Sequence, residues 1–290
     1  MSVNLTDTGE FTPLHVSVQF DHLEATKALV ERGAGINNTN SDGNTPLMVA
    51  VYNDKLEIIR YLIEISADIN IRDANHNTAL QLAAESCSVG IIKLLLDEGI
   101  SVNLINTDDS TPLHITAQFG HLEATKSLVE RGAAINKTNK FGNTPLMVVV
   151  YNDKLEIIRY LIEISADINI RDANHNTALQ LAAESCSVDI IELLLDKKMS
   201  VNFTNADDST PLHISAQFGH LEATKILVER GASIVNTNKY GNNPLLIAAF
   251  NGKLEIFHYL KVIGADIKIL NVSNNTAPHL VSASCSVDII

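Results

Sequence analysis

Basic residues are scarce in this chain. Lys and Arg number 21 against 34 Asp and Glu, which leaves a formal net charge of -13 and a pI near 5.1. Nucleic-acid binding relies on clustered Lys and Arg that release counterions from the phosphates, so this balance excludes DNA and RNA as expected partners, and an anionic membrane surface with them. Long apolar runs are missing too, since none approaches the ~18 residues that a membrane span requires. The opening Met1-Ser2-Val3-Asn4-Leu5 carries neither the basic start nor the apolar stretch of a secretory signal. Cysteine is confined to Cys87, Cys186 and Cys285, which are 99 residues apart. In a stacked array that spacing is roughly 30 Å at ~10 Å per layer. A disulfide needs Cα atoms within ~7 Å, so the expectation is free thiols and a reducing, intracellular, cytoplasmic setting. There is no Gly-rich phosphate loop, no Gly-x-Ser-x-Gly elbow, no His-Glu-x-x-His and no cysteine pair at zinc spacing. No catalysis, cofactor, metal or small-molecule substrate is expected.

What the chain does have is repetition. With 46% hydrophobic and 19% charged residues it reads as a folded protein. Thr12-Pro13-Leu14-His15 returns every 33 residues as Thr45-Pro46-Leu47-Met48, Thr78-Ala79-Leu80-Gln81, Thr111-Pro112-Leu113-His114, Thr144-Pro145-Leu146-Met147, Thr177-Ala178-Leu179-Gln180, Thr210-Pro211-Leu212-His213, Asn243-Pro244-Leu245-Leu246 and Thr276-Ala277-Pro278-His279. The Thr is a good helix N-cap, and Pro at the first helical position loses only a donor that would be unpaired anyway. A short helix is predicted to about Phe20. After a polar break comes a second, whose Leu23, Leu29 and Val30 recur at helical spacing. Gly33, Gly132, Gly231 and Gly264 stop the second helices, and Asn/Asp-rich segments such as Asn37 to Gly43 form a turn or β-hairpin. One such helix pair cannot bury its apolar stripe alone, so it must stack.

The 33-residue period, the Thr-Pro-Leu-His opening, the Gly-His-Leu-Glu linker at Gly120 to Glu123 and Gly219 to Glu222, and the Gly-Ala-x-Ile-Asn ending at Gly33 to Asn37 closely resemble ankyrin repeats. The resemblance covers nearly the whole chain and implies an all-α ankyrin-repeat solenoid, elongated and curved. It divides into a partial hairpin at 1–11, full repeats at 12–44, 45–77, 78–110, 111–143, 144–176, 177–209, 210–242 and 243–275, and a truncated repeat at 276–290. It also implies that His15, His114 and His213 hydrogen-bond neighbouring backbone. The hairpin glycine of the family is Gly43, Gly142 and Gly241 here. Elsewhere it is Glu10, His76, Asp109, His175, Asp208 or Asn274, of which Asn, Asp and His tolerate positive φ better than most residues. At the joint between the two helices, Asp21, Asp54, Asp153 and the three cysteines stand where glycine is usual, which predicts strained or reshaped joints.

A longer period of 99 residues overlies the first: residues 45–77 and 144–176 differ only at Ala50 and Val149. Both termini fall mid-phase, so the expectation is a segment of a longer array or larger protein, with Pro278 making the last unit a poor helix former. Glu57, Glu156 and Glu255, three residues ahead of Arg60, Arg159 and His258, read as ordinary surface pairs.

The resemblance places binding in a concave groove lined by hairpin tips and the ends of the first helices. The helix-end candidates are Phe20, Tyr52, Glu85, Phe119, Tyr151, Glu184, Phe218 and Phe250, and the hairpin candidates are Arg72, Phe141, Arg171 and Tyr240. Aromatic residues and Arg most often carry interface energy, which points to protein partners. The recurrence of Phe20, Tyr52, Arg72 and Glu85 as Phe119, Tyr151, Arg171 and Glu184 adds the expectation of a repetitive or oligomeric partner. The alternative for these rings is that they lie against the next unit and fill gaps in the stack. The alternative for the whole chain is a regulatory or targeting arm of a larger protein whose active part lies elsewhere.

Overall fold

The computed structural model describes the backbone of residues 3–283 and the side chains of residues 3–280. Cys285 and the helix anticipated around Ile290 lie outside that range. The chain groups into two compact units, Met1–Lys140 and Phe141–Ile290. The first holds α1 (Pro13–Gln19), α2 (Leu23–Glu31), α3 (Pro46–Tyr52), α4 (Leu56–Glu64), α5 (Ala79–Glu85), α6 (Val89–Asp97), α7 (Pro112–Phe119) and α8 (Leu122–Glu130). The second holds α9 (Pro145–Tyr151), α10 (Leu155–Glu163), α11 (Ala178–Ser185), α12 (Val188–Asp196), α13 (Pro211–Phe218), α14 (Leu221–Glu229), α15 (Pro244–Phe250), α16 (Leu254–Val262) and α17 (Ala277–Ala283).

Helices of this length are not stable alone in water, so capping and packing must hold them. Thr45 Oγ1 accepts from the Met48 amide at 3.2 Å, and Asn243 does the same for Leu246 at 2.9 Å, so the one departure from Thr keeps the cap. Pro278 sits at the second position of α17, where its missing N–H has no helical partner to lose, and the helix forms despite it. Within each unit the first helices pack side by side, α1 on α3 on α5 on α7, and α9 on α11 on α13 on α15 on α17, with each second helix against its own first helix. Leu47, Ile58, Leu80, Ile92, Leu113 and Leu128 are fully buried between the two layers of the first unit. Leu245, Leu260 and Ala277 do the same work at the far end of the second. Buried hydroxyls clip some pairs together, as Ser17 to Thr26 at 3.0 Å and Ser215 to Thr224 at 2.9 Å, a feature that the apolar periodicity does not reveal.

The joints between helices take the left-handed conformation whichever residue stands there: φ is 62° at Asp21, 57° at Asp54, 61° at Cys87 and 60° at Cys186, against 82° at Gly120. Backbone strain of order 1 kcal/mol is therefore accepted at each non-glycine joint. Second helices end the same way at Gly33 and Gly264 and also at Ser66, Ser165 and Lys198, where no glycine marks the stop. The Asn/Asp-rich segments are turns, and among the described residues no strand forms. Their tips join repeat to repeat through single amide bonds, Ala74 to the Asp42 carbonyl and Ala173 to the Phe141 carbonyl, both at 2.9 Å. Ion pairs at the three-residue helical spacing join Glu24 to Lys27, Glu123 to Lys126 and Glu222 to Lys225. The expected Glu57–Arg60 and Glu156–Arg159 pairs are not made, and nothing in the structure explains the difference.

Candidate functional site

The opening-motif histidines are structural. Thr210 N–H can only donate, and it points at His213 Nδ1 from 3.1 Å, so Nδ1 is the acceptor and Nε2–H donates to the Asn242 carbonyl at 3.0 Å. That fixes a neutral tautomer. Burial pushes the imidazole down to about 4, against the smaller upward pull of the Asn242 carbonyl. His15 makes the same two bonds, to Thr12 N and Asn44 O, and burial lowers it as well. Gln81 and Gln180 reproduce the arrangement with an amide: Gln81 Oε1 accepts from Thr78 N at 2.8 Å and Nε2 donates to Ser110 O at 3.1 Å. A side chain that an amide replaces is bracing the first helix against the last residue of its own repeat, beside the next helix cap, rather than moving protons. His76 and His175 occupy left-handed turn positions with φ near 60°. Cys87 and Cys186 are exposed free thiols at helix joints, and burial followed by the Glu222 charge raises the Cys186 thiol above its ordinary value. That is the wrong direction for a nucleophile.

The helix-end candidates fall seven or eight residues after the cap, at the C-terminal ends of first helices packed side by side within each unit. In the first unit Phe20, Tyr52, Glu85 and Phe119 form such a row, and in the second Tyr151, Glu184, Phe218 and Phe250 form another, with Phe141 and Tyr240 at hairpin tips. None of the eight rings is sealed. The least exposed is Phe218 at 43% and the most exposed Tyr52 at 64%. Glu85 is exposed, while Glu184 is half-buried, and burial together with the Asp172 charge holds its carboxyl above the usual carboxylate range.

Arg72 and Arg171 are placed differently from the rings. Arg72 Nη1 donates to the Ile105 carbonyl of the next repeat at 2.6 Å and to His76 O at 3.2 Å, and Arg171 Nη1 donates to Thr204 O while its guanidinium lies 5.2 Å from the centre of the Phe203 ring. Both are exposed yet already engaged in joining one repeat to the next. His121 and His220, by contrast, belong to the rows although the sequence marks them only as part of a linker. Their Nε2 atoms bond the Glu85 and Glu184 carbonyls at 2.9 and 2.8 Å, and their rings stack on Phe119 and Phe218 with centroids 5.9 and 6.1 Å apart. Their position two residues after the ring, in every repeat that has both, was the available signal. A pocket of about 290 Å³ opens in the first unit beside Tyr52, with Phe11, Asp42, Met48, Asp73 and Leu82 in its wall.

A family model described as ankyrin repeats (3 copies) matches residues 1–73, 66–139, 113–205 and 197–271. Among solved structures, the crystal structure of the human ASB11 ankyrin repeat domain is similar with a TM-score of 0.66 and 25% identity, over 72% of this chain and 96% of that one. No curated protein matches the chain significantly. Ankyrin repeats are general protein–protein interaction modules, typically without enzymatic activity of their own. Among the described residues no helix is long and apolar enough to cross a membrane. Recurring helix pairs, most opened by Thr or Thr-Pro, several braced by a buried imidazole or amide, and matched by the family model from residue 1 to residue 271, place this chain in the ankyrin-repeat family.

Proposed function

We propose that the protein is a non-enzymatic, intracellular interaction module that binds a partner protein through the helix-end and hairpin-tip surface of its repeats. The observation that carries this reading is the exposure of all eight rings, each at least 43%, at three recurring places in the repeat: the hairpin tip and two neighbouring positions at the end of the first helix. A ring left in water at that level contributes little to the core, whereas at an interface its burial is worth more than that of most residues. The same residue set recurs in both units, which supports a partner that itself repeats. The two exposed free thiols suit a reducing compartment.

The test is affinity capture with the wild-type chain beside a Phe119→Ala, Tyr151→Ala double variant, with thermal melting of both. Partners retained by the wild type should be lost from the variant, while the melting temperature falls by no more than about 3 °C, as surface substitutions do. Unchanged capture, or a steep fall in melting temperature, removes the reading.

A further inference from the structure

The hairpin tips carry a charge pattern with one gap. Asp108 and Asp207 hold the position three residues ahead of the helix-capping Thr, and each is neutralised by a lysine 32 residues further on: Lys140 at 2.5 Å from Asp108, and Lys239 paired with Asp207. Asp42 holds the same position in an earlier repeat, but the place of the lysine is taken by Ala74. The Ala74 amide reaches the Asp42 carbonyl, and among the described residues no donor reaches the Asp42 carboxylate. That unpaired charge stands at the wall of the pocket beside Tyr52.

The rest of the wall fits one kind of guest. No Lys, Arg or His lines it. Asp73 adds a second carboxylate, but its oxygens already accept from Asn75 N at 2.8 Å, Asn77 N at 2.7 Å and Asn77 Nδ2 at 3.1 Å. A bare divalent cation needs several free oxygens, and Asp42 alone does not supply them. Met48, Leu82 and the Phe11 and Tyr52 rings offer apolar surface instead, which suits a guest with an aliphatic stem and a charged head. The chain's net charge of -13 favours a basic partner at longer range.

We propose that this pocket receives a lysine or arginine side chain from a basic segment of the partner protein, its stem against Met48, Leu82 and the two rings and its head paired with Asp42. The inference rests on the hairpin-tip face being the protein-binding surface. It is particular to the first unit, because the near-identical repeat of the second unit is preceded by Phe141 where Asp42 stands.

The probes are capped tripeptides Ac-Gly-X-Gly-NH2 with X as Lys, Arg or norleucine, titrated into the full chain and followed by amide chemical shifts. Lys and Arg peptides should shift Asp42, Asn44 and Tyr52 in a saturable, salt-sensitive way, and norleucine, which keeps the stem without the charge, should bind at least about fivefold more weakly. Asp42→Asn should bring Lys down to the norleucine level with an unchanged melting temperature, and Asp42→Phe, copying the second unit, should do the same. Equal binding of Lys and norleucine, shifts confined to other residues, or an Asp42→Asn variant that binds Lys as before would each overturn the proposal. If the peptides fail while the Phe119→Ala, Tyr151→Ala variant still loses its partners, the pocket assignment falls and the binding surface stands. If that variant keeps its partners, the surface falls whatever the peptides do.

Discussion

Helices α2 and α8 are copies of one nine-residue sequence that differ only at Ala28 and Ser127, yet they live in different surroundings. In α8, Ala124 and Leu128 are fully buried, because α6 packs against it. In α2 the matching Ala25 is exposed and Leu29 only half-buried. The first helices repeat the contrast, with Val16 40% exposed and Ile115 at 8%. A 33-residue unit thus carries its own capping and turn chemistry, but how much each apolar side chain stabilises depends on the unit stacked before it.

The largest effect that would test this contrast is at the leucines. Leu128→Ala should cost about 3 kcal/mol, the usual range for a fully buried leucine, and Leu29→Ala under about 1.5 kcal/mol. Denaturant midpoints of the two variants measure it, and equal costs would mean that the preceding unit matters little.

Next comes His213, where an amide, Gln180, already does the same work one repeat earlier. His213→Ala should cost about 2 kcal/mol by leaving the Asn242 carbonyl and the Thr210 amide unpaired in a buried place. His213→Gln, copying Gln180, should recover most of that. The pH dependence separates the two roles. His213 is neutral in the folded chain down to about 4, below its unfolded value near 6.5, so the unfolded state takes up the proton first. Its contribution is therefore complete above about pH 6.5 and is lost as pH falls toward about 4, with a slope approaching about 1.4 kcal/mol per pH unit. Stability measured across that window should slope more steeply in the wild type than in His213→Gln, and parallel curves would refute the assignment.

The smallest expected effect compares two glycines with the same handedness. Gly142 has φ 78° and a Cβ there would lie 2.5 Å from the Ala173 amide nitrogen, whereas Gly231, at φ 89°, has nothing within 4 Å of its Cβ position. Both alanine variants pay the left-handed penalty of about 1 kcal/mol. Gly142→Ala should cost at least about 1 kcal/mol more, because the repeat that follows must move. Equal melting temperatures would show that the tip yields freely.

Capping and turns are local chemistry and could be read from residues: Thr before Pro starts α3 and α9, and among the described residues a left-handed residue stands at each predicted turn and joint, even where it is Asp, His or Cys. The eight exposed rings were legible for the same reason, since a fixed period fixes which face of a short helix each position occupies. Contacts between repeats were less so. That Arg72 is tied to Ile105, that His121 bonds Glu85, and that Asp42 faces Ala74 instead of a lysine all depend on residues more than 30 positions apart being brought within bonding distance. Periodicity assigns each residue a face, but it does not say whether the group opposite can accept its proton or balance its charge. Stacking supplied that information, and with it the difference between a paired tip and an open one.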